Sequence, residues 1–443
     1  MKRNLLKKAL AGLLSAALLV LPTLAAEPQQ PSSWAVSQLA ASYALGLVDE
    51  SPLTMDQLES MTKVVADKLA LLELEPRTAD AVGLVVDTTR GGVMNALYQE
   101  AATYDLPGVE EGPEAFLTGL GVVQGDGASL AQERTCTYQE AMVMANRLIL
   151  AIYDGQDAGS KGLLWKATNG DNTLYLLGTI HLDRDNVYPL HKSLRDAIQA
   201  SEEVIFELDL NDQEGIALLQ SLQTYQDGTT LADHISPELY QRVQAAAAAL
   251  GMAPNGLDAY KPWALASTLS MQDDTTGSNA MAIDLYVNAA AVNAGKAIGA
   301  VETYAFQGGI FDGLSPEYQE SYLDSALAGF ESTLSGAATS PEIDEALQAQ
   351  EEILSAMFAA WKDRDPEAFS KVYDKAAIIN STDELNSKLF TERDPGMIEA
   401  AAGYLETEGS HTYFMAVGAG HMVDPGGIVS GLREMGYTVE LVP

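Results

Sequence analysis

Twice in this chain an apolar run ends in Gly-x-x-His and is followed by a loop, a helical pattern and a closing strand pattern. The first unit is Leu174 to Leu177 with Gly178 and His181; the second is Phe414 to Val417 with Gly418 and His421. Strand–helix–strand units of this kind build α/β sheets, because a short right-handed crossover returns each strand parallel to a neighbour. A glycine at the strand end lets the backbone turn sharply. The histidine then stands at the carboxyl edge, where open α/β sheets place their sites. The chain holds only five histidines, so two in matching settings some 240 positions apart mark where chemistry is expected.

The texture between the two units completes the fold expectation. Leu164 to Ala167 and Thr173 to Leu177 flank the turn Asn169-Gly170, a hairpin signature. A helix over Leu190 to Ala200 leads to a strand over Val204 to Leu208. Residues from about 212 to 410 read as mainly helical, with a short strand at Ala297 to Val301. Strand Tyr413 to Val417, helix Ile428 to Met435 and strand Thr438 to Leu441 follow. The predicted class is α/β, with a mixed sheet whose two strand–Gly-x-x-His–helix–strand units come from the two ends of the domain and enclose a helical middle.

Ahead of that domain the pattern changes. Residues 1–26 read as a secretory signal: Lys2, Arg3, Lys7 and Lys8 precede the apolar run Ala9 to Leu21, and the small residues Ala25 and Ala26 offer a cleavage site. No further run is long and apolar enough for a membrane span, so a protein exported to the cell exterior or wall is expected. Cys136 is the sole cysteine, which excludes an internal disulfide and argues against thiol or Cys-based metal chemistry. Removal of the signal's four positive charges takes the formal net charge from −37 to about −41, a surface unsuited to nucleic acid or anionic lipid.

Residues 33–155 read as a small all-α domain with a faint duplication, joined by a linker over Asp154 to Ser160 to an α/β domain over 164–443. Thr54-x-x-Gln57 and Thr137-x-x-Glu140 are capping boxes, each opening an apolar helix. The duplicated pattern resembles degenerate S-layer homology modules, which implies a cell-wall polymer as a partner. Tyr138 stands where those modules usually carry a basic residue, and a plain helical packing unit is the alternative.

Glu207 is the natural companion of the two motif histidines. The segment Val204 to Asp209 reads as an apolar strand that ends in two carboxylates, Glu207 and Asp209, one helix crossover beyond His181. Two imidazoles and a carboxylate form a ligand set for a hydrolytic divalent metal with an open water position. Such a metal needs no Ser or Cys nucleophile. In a period-2 strand Glu207 and Asp209 share a face, so Asp209 is either a second ligand or an orienting group, and either carboxylate is available for proton transfer. Asp284 and Glu302 flank the strand at 297–301, and Arg393 is a candidate for oxyanion or substrate-carboxylate stabilisation. The plain alternative is a pair of hydrogen-bonded turn histidines and a solvated strand-end Glu. His191, His234 and His411 show no matching context and are expected to be structural.

The stretches LWKATNGDNTLYLLGTIHLDRDNVYP, EEVIFELDL, AIDLYVNAAAVNAGKAIGAVETYAFQ and VGAGHMVDPGGIVSGLREMGYTVE occur in order. Through them residues 164 to 443 resemble the TraB/PrgY/GumN family, close to its animal Tiki members. That resemblance implies a fold related to erythromycin esterase and the ChaN-like proteins, and a metallopeptidase dependent on manganese or cobalt, with zinc as a further option. It places the family's histidines on His181 and His421, its acidic strand-end residue on Glu207, and its later acidic positions on Asp284 and Glu302. Where the family often shows Arg-Asn, this chain has Arg393-Asp394, which puts a substrate-binding role of that pair in doubt. The expected function is an exported bacterial metallopeptidase acting on extracytoplasmic peptides or proteins. The alternatives are a non-catalytic, pheromone-like peptide binder, a wall-attached scaffold with a vestigial site, and an esterase or haem-handling protein.

Overall fold

A computed structural model of the chain describes residues 32, 34–47, 52–77, 83–125, 129–180, 186–272, 281–335 and 341–443. The signal-sequence reading for 1–26 and the histidine of the first motif, His181, lie outside them. Six strands form one sheet: β1 Leu163–Asn169, β2 Asn172–Thr179, β3 Glu203–Phe206, β4 Ala297–Ala300, β5 Thr412–Gly418 and β6 Thr438–Leu441. Their spatial order is β4-β3-β5-β2-β1-β6. The four strands β4, β3, β5 and β2 run parallel, whereas β1 pairs antiparallel with both β2 and β6. The sheet is therefore mixed, with a parallel heart and an antiparallel flank.

The sequence explains this division. β1 and β2 are joined by a two-residue turn in which Gly170 adopts φ 56°, the left-handed conformation that such hairpins need. β5 and β3 are continuous runs of buried apolar residues, the pattern of strands covered on both faces. The β2–β5 register sets Gly178 against Val417 and Thr179 against Gly418. The two Gly-x-x-His motifs thus begin on neighbouring parallel strands, one position out of step.

The glycines of those motifs do a different job from the sharp turn expected of them. Neither Gly178 nor Gly418 has a positive φ; Gly418 sits at φ −51° and ψ 136°. A Cβ on Gly178 would lie 3.0 Å from Ala419 Cα and 3.1 Å from Ala419 Cβ. Glycine is needed there so that the second motif can pack directly on the first.

Both capping boxes are formed. Thr54 and Gln57 open the helix Met55–Ala70, and Thr137 and Glu140 open Tyr138–Gly155. A further helix, Arg90–Ala101, stands between them. The core of this helical part is continuous with that of the sheet: Leu39, Leu97 and Leu148 belong to the same buried cluster as Leu176 and Phe414. The segment read as a linker is a packed turn. The preceding helix runs through Gly155, Asp157 and Gly159 take positive φ, and buried Ser160 donates its hydroxyl to Val187 O. A second, smaller core joins helices Pro237–Ala249, Pro262–Gln272 and Pro316–Ser335 through Val243, Leu265, Leu323 and their neighbours. Among the described residues no helix is long and apolar enough to cross a membrane.

Candidate functional site

Because β2, β5 and β3 are adjacent and parallel, their carboxyl ends share one edge of the sheet. Glu207 follows the last residue of β3, and its backbone carbonyl accepts from the Glu302 amide at 2.9 Å, so β4 delivers a second carboxylate to the same edge. The side chain of Glu207 is buried. Its Oε1 accepts the Gly418 N–H at 2.6 Å, and its Oε2 accepts Arg393 Nη2 at 2.6 Å and Gln307 Nε2 at 3.3 Å. Glu302 takes the other side of the same guanidinium, at 2.9 Å to Nε and 2.7 Å to Nη2, and accepts Gln307 at 2.7 Å.

Arg393 is therefore no solvent-facing cation on a polar helix. It is 3% exposed and clamped between two carboxylates contributed by strand ends far away in the chain. Burial works against its charge, but the adjacent carboxylates overcome that cost and hold the guanidinium above its ordinary range. Such an arrangement satisfies three buried ions at once, which a lone member of the group would not survive.

The second motif forms the short helix Ala419–Met422, in which His421 is 5% exposed. Its Nδ1 lies 2.6 Å from Asp394 Oδ1, and the other oxygen of Asp394 lies 2.8 Å from Lys375 Nζ. The Phe390 ring packs at 5.1 Å from the imidazole, centroid to centroid. Arg393 and Asp394, side by side in sequence, thus serve different partners: the arginine holds Glu207 and Glu302, and the aspartate backs His421. Both stand at the opening of the helix Asp394–Leu405, whose dipole favours a carboxylate at its first residue.

Asp209 is directed elsewhere. β3 stops at Phe206, so the period-2 argument does not extend to Asp209. Its Oδ1 accepts the Asn211 amide at 2.9 Å and the Asn211 side chain at 3.2 Å, in a local turn. Asp284 is buried at the start of the helix Ile283–Asn293. The three remaining histidines have structural partners: His191 caps the helix Lys192–Ala200, His234 stacks on Tyr225, and His411 bonds Glu202. Lys375 and Gln307 carry no local sequence signal, since both reach the site through tertiary contacts alone.

The donor chemistry suits a divalent ion at His421. An imidazole whose Nδ1 is bound to a carboxylate presents Nε2 as its ligand atom, and no hydrogen bond occupies Nε2 among the described residues. Glu207 accepts from an amide, a guanidinium and a carboxamide, as an ionised carboxylate does. Among the described residues no cluster of three or more His, Cys, Asp or Glu side chains suffices on its own to hold a metal.

Comparison with known proteins finds distant relatives that are metalloproteases. The zebrafish (Danio rerio) Metalloprotease TIKI2 is 25% identical over 301 residues, covering 61% of this chain and 58% of that protein. Metalloprotease TIKI1 of the same species is 25% identical over 305 residues, 62% of each chain, and Metalloprotease TIKI2 of Xenopus tropicalis is 24% identical over 301 residues. The chain spans about 60% of the length of these curated relatives. No solved structure matches it. The model of the TraB/PrgY/gumN family matches residues 163–441, from the first residue of β1 to the last of β6. By that match over most of its length, the chain belongs to the TraB/PrgY/gumN family.

Proposed function

We propose that the protein is an exported, metal-dependent hydrolase that cleaves extracytoplasmic peptides or proteins, on a sheet of the erythromycin esterase/ChaN kind. His181, Glu207 and His421 are its proposed metal ligands. The observation that carries the reading is the parallel β3-β5-β2 order, which brings Glu207 and the strand ends of both motifs to one sheet edge. Family membership supports the reaction class, since the relatives named above are metalloproteases.

A divalent ion of the manganese, cobalt or zinc type would supply Lewis acidity and a water of lowered pKa at neutral pH. The chain's own groups have separate tasks. Asp394 orients His421. Gly418 and Gln307 hold the Glu207 carboxylate in place, and Arg393 balances its charge. Arg393 is spent on Glu207 and Glu302, so it acts by positioning Glu207 rather than by meeting substrate. Asp209, held in its turn by Asn211, takes no part in this reading.

The test is incubation with a defined peptide library, with and without chelator, for the wild type and for His181→Ala and His421→Ala. New peptide termini that require metal and vanish in both variants are expected. Full activity in both variants overturns the proposal. Peptides that are retained but returned intact would identify a binder instead.

A further inference from the structure

Lys375 is the least exposed charged residue of the described chain, at 1%, and nothing in the proposed hydrolysis uses it directly. It opens the five-residue helix Lys375–Ile379, which packs beside the helix Glu384–Thr391. Its ammonium makes three contacts: Asp394 Oδ2 at 2.8 Å, Val423 O at 2.9 Å, and the face of Phe390 at 4.9 Å from the centroid. The same Phe390 ring packs on His421, and Val423 is two residues beyond it. Every contact of Lys375 therefore ends on a group that touches His421 or neighbours it in the chain.

A histidine offers a metal only one of its nitrogens, and the hydrogen bond made by the other selects which. Asp394 accepts at Nδ1, which leaves Nε2 for the ligand. A buried carboxylate facing only an imidazole would be costly. Lys375 supplies the missing charge on the opposite oxygen. The imidazole is itself buried and packs on the Phe390 ring, centroid to centroid at 5.1 Å.

We propose that Lys375 and Asp394 are a buried positioning pair that holds the His421 imidazole with its proton on Nδ1, so that Nε2 is the atom offered to a divalent cation. The cation half of this statement rests on the reading of His421 as a ligand; the proton half does not.

The experiment separates the two. Nitrogen-15 NMR of the histidine side chains in the metal-free full chain, with the signal assigned by its loss in His421→Ala, should show the wild-type proton on Nδ1. Asp394→Ala should move it toward Nε2, the form a free histidine favours. Equilibrium dialysis against Mn²⁺ alone should show roughly ten- to a hundred-fold weaker binding in Asp394→Ala, the usual consequence of removing a ligand's orienting partner. Lys375→Met should weaken Mn²⁺ binding as well. The double variant Lys375→Met/Asp394→Asn, which replaces the ion pair with a neutral acceptor, should recover most of the loss. A merely structural pair would change Mn²⁺ binding only in step with stability and would leave the proton on Nδ1. Thermal unfolding of each variant identifies the folded ones, and the double variant with asparagine keeps the test open if the alanine variant does not fold. A proton on Nε2 in the wild type, or Mn²⁺ binding and NMR pattern both unchanged in Asp394→Ala, overturns the proposal. A wild type that binds no Mn²⁺ but shows the Nδ1 proton would sink the metal reading and leave the positioning pair standing.

Discussion

The Gly418 amide lies 2.6 Å from Glu207 Oε1, so the carboxylate that follows β3 is held by the first residue of the second Gly-x-x-His motif. That bond makes Glu207 a structural tie as well as a candidate ligand. Glu207→Ala would leave the Arg393 guanidinium buried with Glu302 as its remaining carboxylate. We expect a loss of about 3 kcal/mol in urea unfolding, the lower end for a broken buried pair because Glu302 still compensates. Glu207→Gln keeps an acceptor for Gly418 and should lose less. Equal stability of Glu207→Ala and wild type would contradict the clamp.

Trp361 donates its indole N–H to Gly178 O at 2.6 Å and is completely buried. Trp361→Phe removes that donor and part of the buried ring's volume. A loss of about 1–3 kcal/mol is expected in denaturant titration, the cost of leaving a buried acceptor unpaired. If the bond is immaterial, the two unfolding curves will superimpose.

Gly178→Ala probes the contact between the motifs. The added methyl would press on Ala419, whose backbone cannot rotate out of the way as a flexible side chain could. Overpacking of this kind costs about 1–3 kcal/mol. Gly170→Ala, at the exposed hairpin turn with no atom within 4 Å of the new Cβ, would be strained only through its left-handed φ. Its cost should fall near 1 kcal/mol. Calorimetry of both variants checks the order, and a more harmful Gly170→Ala would refute close packing as the reason for Gly178.

Burial pushes the Cys136 thiol up to about 12, with the neighbouring Glu140 adding to the shift. In the unfolded chain the thiol ionises from 9.0. The unfolded state therefore releases its proton first, and this group's contribution to stability is full below about 9 and is lost as the pH rises toward about 12. Near pH 10 the wild type should have lost about 1 kcal/mol more than Cys136→Ala, relative to neutral pH. The native thiol should also resist a disulfide reagent near pH 8 and react once denatured. Rapid native labelling would contradict its burial.

Much of the sheet was legible because its strands are short apolar runs bounded by turn residues. The hairpin turn at Gly170, both capping boxes and the presence of Glu207 at the end of the β3 segment follow from local chemistry. What local pattern could not show is who meets whom. Arg393 looks like any helix-edge cation until β3 and β4 deliver carboxylates from 186 and 91 positions away. Asp209 read as facing with Glu207 only on the assumption that β3 continued, and the strand stops one residue before Glu207. Lys375 begins a five-residue helix too short to leave a periodicity. The motif glycines were visible as residues but not as contacts, since local spacing cannot distinguish a turn from a close approach.

The β2–β5 register joins Gly178 to Val417, 239 positions apart in the chain. At ordinary rates of synthesis, about 5–20 residues per second, β2 would precede its partner out of the ribosome by roughly 10 to 50 seconds. In that interval a growing chain carries only one half of the proposed site. A chain that stops short of β5 would lack the Gly418 amide that holds Glu207.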